Sequence, residues 1–368
     1  MNLLDFKEYA KLETERVKNA LPKLSEGSIR FAFIADLHYK FTNEMRTTVS
    51  NIIHAVNELN KTEKIDFLCL GGDNVGNYPD SREEHILMMA ELRALLEHCD
   101  VPVIFIQGNH DDNSIHGRIG DTNTCRTGFE VPDDIQFDTL FSITQKYPSF
   151  SFAGNKALYG YLDLAKAKTR VVFLNSSDVP YIVHDGIMKY NQQWDFGYSE
   201  KQLSWLANTA LKDAPENVIF IEHMPFDHVR HPEDIDSTYN YDALDKITQA
   251  FETGSSVKIS SSHEDFGYNI SADFSVQKHN VPARISAHCH TDTQSIDNAG
   301  FLSVTTMLAG RKNSGMGAGD DGIIYEREPF SATETSMDIF TFDSQNYTLS
   351  ATRYGSGKDR TFSLKKRS

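Results

Sequence analysis

Val101 to Asp112 reads V-P-V-I-F-I-Q-G-N-H-D-D. An apolar run of strand length stops at Gly108, and Asn109, His110, Asp111 and Asp112 follow at once. Such a run buries itself, and the residues after it carry side chains suited to metals and protons to the edge of a sheet. Taken alone, the stretch reads equally well as a strand followed by an Asn/Asp turn. The same design occurs four more times along the chain, and that recurrence decides the reading.

Ile29 to Ala35 runs into Asp36-Leu37-His38, and Ile65 to Leu70 into Gly71-Gly72-Asp73-Asn74. Asn217 to Ile221 ends in Glu222-His223-Met224-Pro225, and Ala283 to Ala287 in His288-Cys289-His290. Between the first three runs lie helical patterns, residues 44–60 with Val49, Ile52, Ile53, Val56 and Leu59 on one face, and about 82–98. Strand, helix, strand, helix, strand at this spacing predicts an α/β architecture. Parallel strands would bring their C-terminal ends to one crevice. On an extended backbone alternate side chains share a side, so Asp36 and His38 are expected to project together. His288 and His290 are expected to do the same, with Cys289 facing away.

Around these runs the chain reads as one domain over residues 1–368. Residues 1–26 have the spacing of a surface helix ended by Pro22 and Gly27. Residues 112–147 and 226–279 are polar and weakly patterned and are expected as insertions over the site. Strands are expected at 157–164, 169–175 and 301–307. A helix should start at Ser199, with Gln202 completing a capping box. Residues 310–322 are Gly-rich, and a β-hairpin is expected at 337–356, turning at Asp343-Ser344-Gln345-Asn346.

A formal charge of −16 disfavours a phosphate-tracking nucleic-acid groove, which needs a basic face. Any anionic substrate must therefore find positive charge concentrated locally. Cys69, Cys99, Cys125 and Cys289 form no CxxC pair and fit free thiols in a reducing compartment. The acidic N-terminus shows no signal peptide, and no apolar run reaches the ~20 residues of a membrane span. The expectation is a cytoplasmic protein with no membrane contact.

The series D-L-H, G-G-D-N, G-N-H-D, E-H-M-P and A-H-C-H, over roughly residues 28–310, resembles the calcineurin-like metallophosphoesterase superfamily. Ser199–Leu211, with Q-L-S-W-L, resembles the helix this family places before its isolated His strand. The resemblance implies a four-layer sandwich, two facing mixed β-sheets flanked by helices, with a dinuclear metal site at the strand ends. It puts Asp36, His38 and His290 on one ion, Asn109, His223 and His288 on the other, and Asp73 between them. Imidazole with carboxylate or amide oxygen suits Mn, Fe or Zn. A bridged pair ~3.5–4 Å apart can grip attacking and leaving oxygens and supply a hydroxide to attack phosphorus. With the two carboxylates and that hydroxide the pocket keeps about +1, enough to draw a phosphate ester into an acidic protein. His110 resembles the acid that protonates the leaving group.

Two positions depart from the family pattern. Gly76 stands where many members carry an Asp that orients the acidic His, leaving Asn77 or Asp111 as substitutes, and Ala287 replaces a Gly. His116, Arg118 and Arg126 are weak candidates for contact with substrate. His228, His231 and His263 read as surface residues, Trp194 and Tyr198 as pocket or core. The implied substrate is a small phosphomonoester or phosphodiester. A nuclease-type phosphodiesterase is the alternative that the acidic balance disfavours. An inactive binding scaffold is disfavoured because all seven ligand positions and His110 are present.

Overall fold

A computed structural model of the chain describes residues 7–76, 81–226, 238–276, 279–310 and 318–366. β1 (Ser28–Ile34), β2 (Phe67–Leu70) and β3 (Val103–Phe105) are parallel neighbours in a six-stranded sheet. Ser336–Asp343 adds antiparallel to β1, and Thr348–Gly355 pairs antiparallel with Ser336–Asp343 as the expected hairpin. The second sheet has seven strands. Its central strands Thr169–Phe173, Asn217–Ile221, Arg284–Ser286 and Leu302–Thr305 are parallel, and both of its flanks are antiparallel.

The two sheets face one another. β1 buries every residue, because both faces of the sheet are covered. Its odd positions Phe31 and Phe33 point with Phe67, Cys69 and Ile104 toward Val171, Phe173, Ile219 and Ile285 of the other sheet. Phe31 stacks on Phe67 with centroids 4.8 Å apart, and Phe67 meets Phe173 edge-on across the gap. The even positions Ala32 and Ile34 turn outward to a second cluster containing Val49, Ile52, Ile53 and Val56 of α2 (Asn43–Glu63) and Met89 and Leu92 of α3 (Arg82–Leu96). On the far side, Val172, Val218 and Phe220 pack with the helical residues of 200–210 and 241–253. Three apolar interfaces between four layers make the expected sandwich.

Helix starts follow side-chain capping. Thr42 and Ser81 accept hydrogen bonds from the amides of Met45 and Glu84. Ser199 likewise accepts from the Gln202 amide, but the other half of the capping box does not form. The Ser199 amide donates to Asp178, and the Gln202 carboxamide pairs with the backbone of Asn175 at the end of strand Thr169–Phe173. Gln202 is spent on tying the helix to the sheet. α1 (Glu8–Ala20) lies within 1–26 and buries Ala10 and Val17. Its Glu13 takes the Gly355 amide, docking it on the terminal hairpin.

The stretches 112–147 and 226–279 hold more regular structure than their polarity suggested. α4 (Asp133–Thr139) and a 3₁₀ turn at Phe141–Lys146 send Phe137, Leu140, Phe141 and Ile143 into the α2/α3 core. After α5 (Glu200–Trp205), the described part of the second stretch holds α6 (Tyr241–Thr253), whose Leu244, Ile247 and Phe251 are buried, and a hairpin of Ser256–Ser261 with Tyr268–Asp273.

Candidate metal centre

β1, β2 and β3 of one sheet and Asn217–Ile221 and Arg284–Ser286 of the other all stop at the same edge, and the residues that follow them meet there. The Nε2 atoms of His38 and His290 are 3.3 Å apart, and His290 Nε2 lies 3.2 Å from Asp36 Oδ1. Asp36, His38, Asp73 and His290 are all buried, and one ligating atom from each falls within 4.8 Å of the others. Next to them Asn109 Oδ1 sits 3.1 Å from His223 Nε2 and 3.0 Å from His288 Nδ1. Asp73 lies between the groups: its Oδ2 is 3.8 Å from His38 Nε2, while its Oδ1 is 3.4 Å from His223 Nε2.

The convergence does not come from extended alternation, and that expectation is corrected here. Asp36, His38, Asp73, His288 and His290 all have left-handed backbones, φ between 46° and 64°. Such φ values are uncommon outside glycine and cost on the order of 1–3 kcal/mol each, so the surrounding structure must impose them. It does so through backbone bonds between neighbouring loops: Asp36 N to Gly72 O, His38 N to Asp73 O, and Ala309 N and Gly310 N to the carbonyls of Ala35 and Asp36. The two motif glycines are required by space. A Cβ on Gly72 would come 2.3 Å from His223 Nδ1, and one on Gly108 2.0 Å from Asp73 N.

Hydrogen bonds aim the individual groups. His223 Nδ1 donates to Gly71 O at 2.8 Å, which turns Nε2 toward Asp73 and Asn109. Asn109 Nδ2 donates to Gln193 O, so the amide presents its oxygen to the cluster. Asp111 is buried and accepts from the amides of Asn74, Val75 and Gly108 and from Asn74 Nδ2. Its carboxylate locks the loops after β2 and β3 together, and none of these bonds goes to His110. A Cβ at Gly76 would press on His38 O at 2.9 Å, so this backbone leaves little room for the Asp that the family pattern leads one to expect there. Asn77 lies outside the described residues.

His110 stands at the rim, 15% exposed, with Nε2 3.6 Å from Asp73 Oδ2 and its amide bonded to Asp73 Oδ1. Electrostatics join the set. Burial opposes ionisation of Asp73, yet His110, His223 and His38 hold it well below the usual carboxylate range. Burial likewise opposes a charge on His223, but the Asp73 carboxylate raises it to about 9. Asp36 is lowered against its own burial by His290.

The donor chemistry fits metal ions. Imidazole nitrogens with amide and carboxylate oxygens packed 3.0–3.8 Å apart present converging lone pairs, which repel unless protons or cations lie among them.

The remaining candidates are placed as follows. His116 is half-buried in the turn Ser114–Gly117, near His85, which burial lowers to about 4 with a smaller push from His116. The Arg118 guanidinium lies 5.0 Å over the Trp194 ring, and Arg126 is an exposed residue bridged to Ile187. His263 is exposed and accepts from the Asp265 and Phe266 amides. Tyr198 is buried and donates to Glu222. His228 and His231 lie outside the described residues. Sequence reasoning passed over Gln107 and Asn175, which bond each other at 2.7 Å between the strand ends of the two sheets. It also passed over a cavity of about 430 Å³ lined by Asp112, Asp133 and Gln192 among others.

Two facing mixed sheets that deliver a buried Asp, Asn and His cluster to one edge define a class of metal-dependent hydrolase. The chain belongs to the calcineurin-like phosphoesterase family, whose model matches residues 29–292, and it is accordingly a phosphoric ester hydrolase of a dinuclear metal-dependent kind. Among solved structures, a dimetal phosphatase from Danio rerio shares the fold with a TM-score of 0.56 at 15% identity, over 92% of this chain and 99% of that one. A conserved uncharacterized protein from Streptococcus pneumoniae, described as a predicted phosphoesterase, aligns over 91% and 97% at 10% identity, but at a TM-score of 0.28 it carries no weight. No curated protein sequence matches the chain.

Proposed function

We propose that the cluster holds two Mn, Fe or Zn ions and that the protein hydrolyses a small phosphomonoester or phosphodiester. Asp36, His38 and His290 would hold one ion, Asn109, His223 and His288 the other, with Asp73 shared. The observation that carries this reading is the division of Asp73, one oxygen toward His38 and the other toward His223. Two such ions supply Lewis acidity and a water-derived nucleophile at neutral pH. The chain's own part is to fix those ions, exclude other geometries and manage a proton. His110, on the rim beside Asp73 Oδ2, is placed to give a proton to the departing oxygen. The net charge of −16 disfavours the nuclease alternative. No described helix is long and apolar enough to cross a membrane, and four free cysteines suit a reducing compartment, which supports a cytoplasmic location.

The test is hydrolysis of a panel of aryl and alkyl mono- and diesters by protein loaded with Mn, Fe or Zn, alongside metal analysis. Metal-dependent turnover of small esters is expected. A fully loaded protein inert to every ester would refute the assignment.

A further inference from the structure

The cavity lined by Asp112 has a chemistry of its own. Asp112, Glu130, Asp133, Tyr181, Tyr190 and Arg82 are among its lining residues, and its volume of about 430 Å³ is that of a small-molecule site. Asp112 is 4% exposed and two residues beyond His110. It spends Oδ1 on the amide and hydroxyl of Ser114, and its other oxygen has no hydrogen bond among the described residues. Glu130 is also buried and held in place, taking the Tyr181 hydroxyl and the Gly128 amide at 2.7 Å each. Asp133 is fixed by the Gln192 and Gln107 carboxamides. With Asp134 also in the lining, four carboxylates face one guanidinium.

Gathering carboxylates in a partly desolvated space is unfavourable without a compensating cation. The strain shows at Asp112, which burial, with Asp133 and Glu130 adding their charge, pushes up to about 7. Among the described residues the carboxylates do not converge as Asp36, His38, Asp73 and His290 do, so the spacing suits a molecule rather than a bare metal ion. Tyrosine rings in the wall suit an organic cation, which they attract through their faces.

We propose that this cavity binds an organic ammonium group, carried either by the leaving-group side of a phosphate ester or by a free amine. Its position favours the first source. Asp112 follows His110 on one loop, and Gln192 precedes Gln193, whose carbonyl orients Asn109. The binding claim stands without the hydrolase reading; the choice of source rests on it.

The experiment titrates the Zn-loaded protein with ethanolamine hydrochloride and tetramethylammonium chloride at constant ionic strength, with tert-butanol as the neutral control. Saturable binding of the ammonium probes and none of tert-butanol is expected. Asp112→Asn keeps an acceptor for Ser114 and should weaken that binding by about tenfold or more at an unchanged melting temperature. Tyr181→Ala, at a residue 65% exposed, serves as a second variant that the fold tolerates and should also weaken it. Absence of saturable binding, equal binding of tert-butanol, or indifference to both variants would overturn the proposal. Phosphorylethanolamine and ethylene glycol phosphate then separate the sources. A lower KM for the amine, lost in Asp112→Asn, identifies a substrate group. A response of aryl phosphate hydrolysis to free ethanolamine, with no preference between the two esters, identifies a free ligand. Ammonium binding by a protein inert to every ester would support the cavity assignment and refute the hydrolase reading.

Discussion

At the residue scale, His110 and Gly72 make the sharpest claims. If His110 is the proton donor, His110→Ala should lower kcat by about 10²–10⁴-fold on an alkyl phosphate and far less on a nitrophenyl ester, whose leaving group needs no proton. Metal content should stay at the wild-type level. An equal loss on both esters would make His110 a structural or metal-positioning residue instead. Gly72→Ala asks a different question. The added methyl would sit 2.3 Å from His223 Nδ1 at a backbone φ of 95°, so something must move, and His223 is the nearest group. The expected result is loss of one ion per chain with the other retained; full occupancy by metal analysis would show that the loop gives way elsewhere. The residues that meet at the strand ends were legible in the sequence because each follows an apolar run. The left-handed backbones of Asp36 and His38 were not, because they are imposed by hydrogen bonds with loops distant in sequence.

At the scale of elements, the helix starting at Glu200 shows how a local rule yields to tertiary structure. Ser199 caps it as read, but Gln202 leaves the capping box to hold Asn175, and Asp178 takes its place at the Ser199 amide. Only the meeting of two elements remote in sequence could reveal that exchange. The α6 pattern was present in Tyr241, Leu244, Ile247 and Phe251 and was obscured by the polar sequence around it. Burial raises Asp178 to about 6, above its value in the unfolded chain. The folded state therefore holds more protons than the unfolded one between about pH 4 and 6, and this group's contribution to stability falls as pH rises through that window. A shift of this size is worth on the order of 3 kcal/mol. In chemical denaturation across pH 4–7, Asp178→Asn should flatten that part of the profile, and a profile parallel to wild type would remove Asp178 as its source.

For the whole molecule, two sheets must be held in register so that strand ends from both reach one centre. Apolar packing supplies the adhesion, with Phe31, Phe67 and Phe173 across the gap; Phe67→Ala should cost about 3–5 kcal/mol. Direction comes from a buried ionic network. Arg353 of the terminal hairpin donates to Asp338 and to both oxygens of Asp292, two residues beyond His290, and Arg360 donates to Asp338. Asp292 in turn accepts the Met307 amide. Breaking such a pair leaves a buried charge uncompensated, so Arg353→Ala should cost about 3–5 kcal/mol in urea unfolding. Because Asp292 sits so close to His290, it should also weaken metal binding; unchanged affinity would confine the network to stability. The α/β class and the convergence of strand ends could be read from five apolar runs, but this network joins residues 292, 338, 353 and 360, none of which carries a local signal.

Asp73 is proposed to join two ions in one centre. Electron paramagnetic resonance of the Mn-loaded protein tests it most directly, read together with the number of ions per chain. Two ions per chain with the spectrum of a spin-coupled pair are expected, with loss of that coupling in Asp73→Asn. A single ion per chain, or two ions with the spectrum of isolated Mn(II), would contradict it.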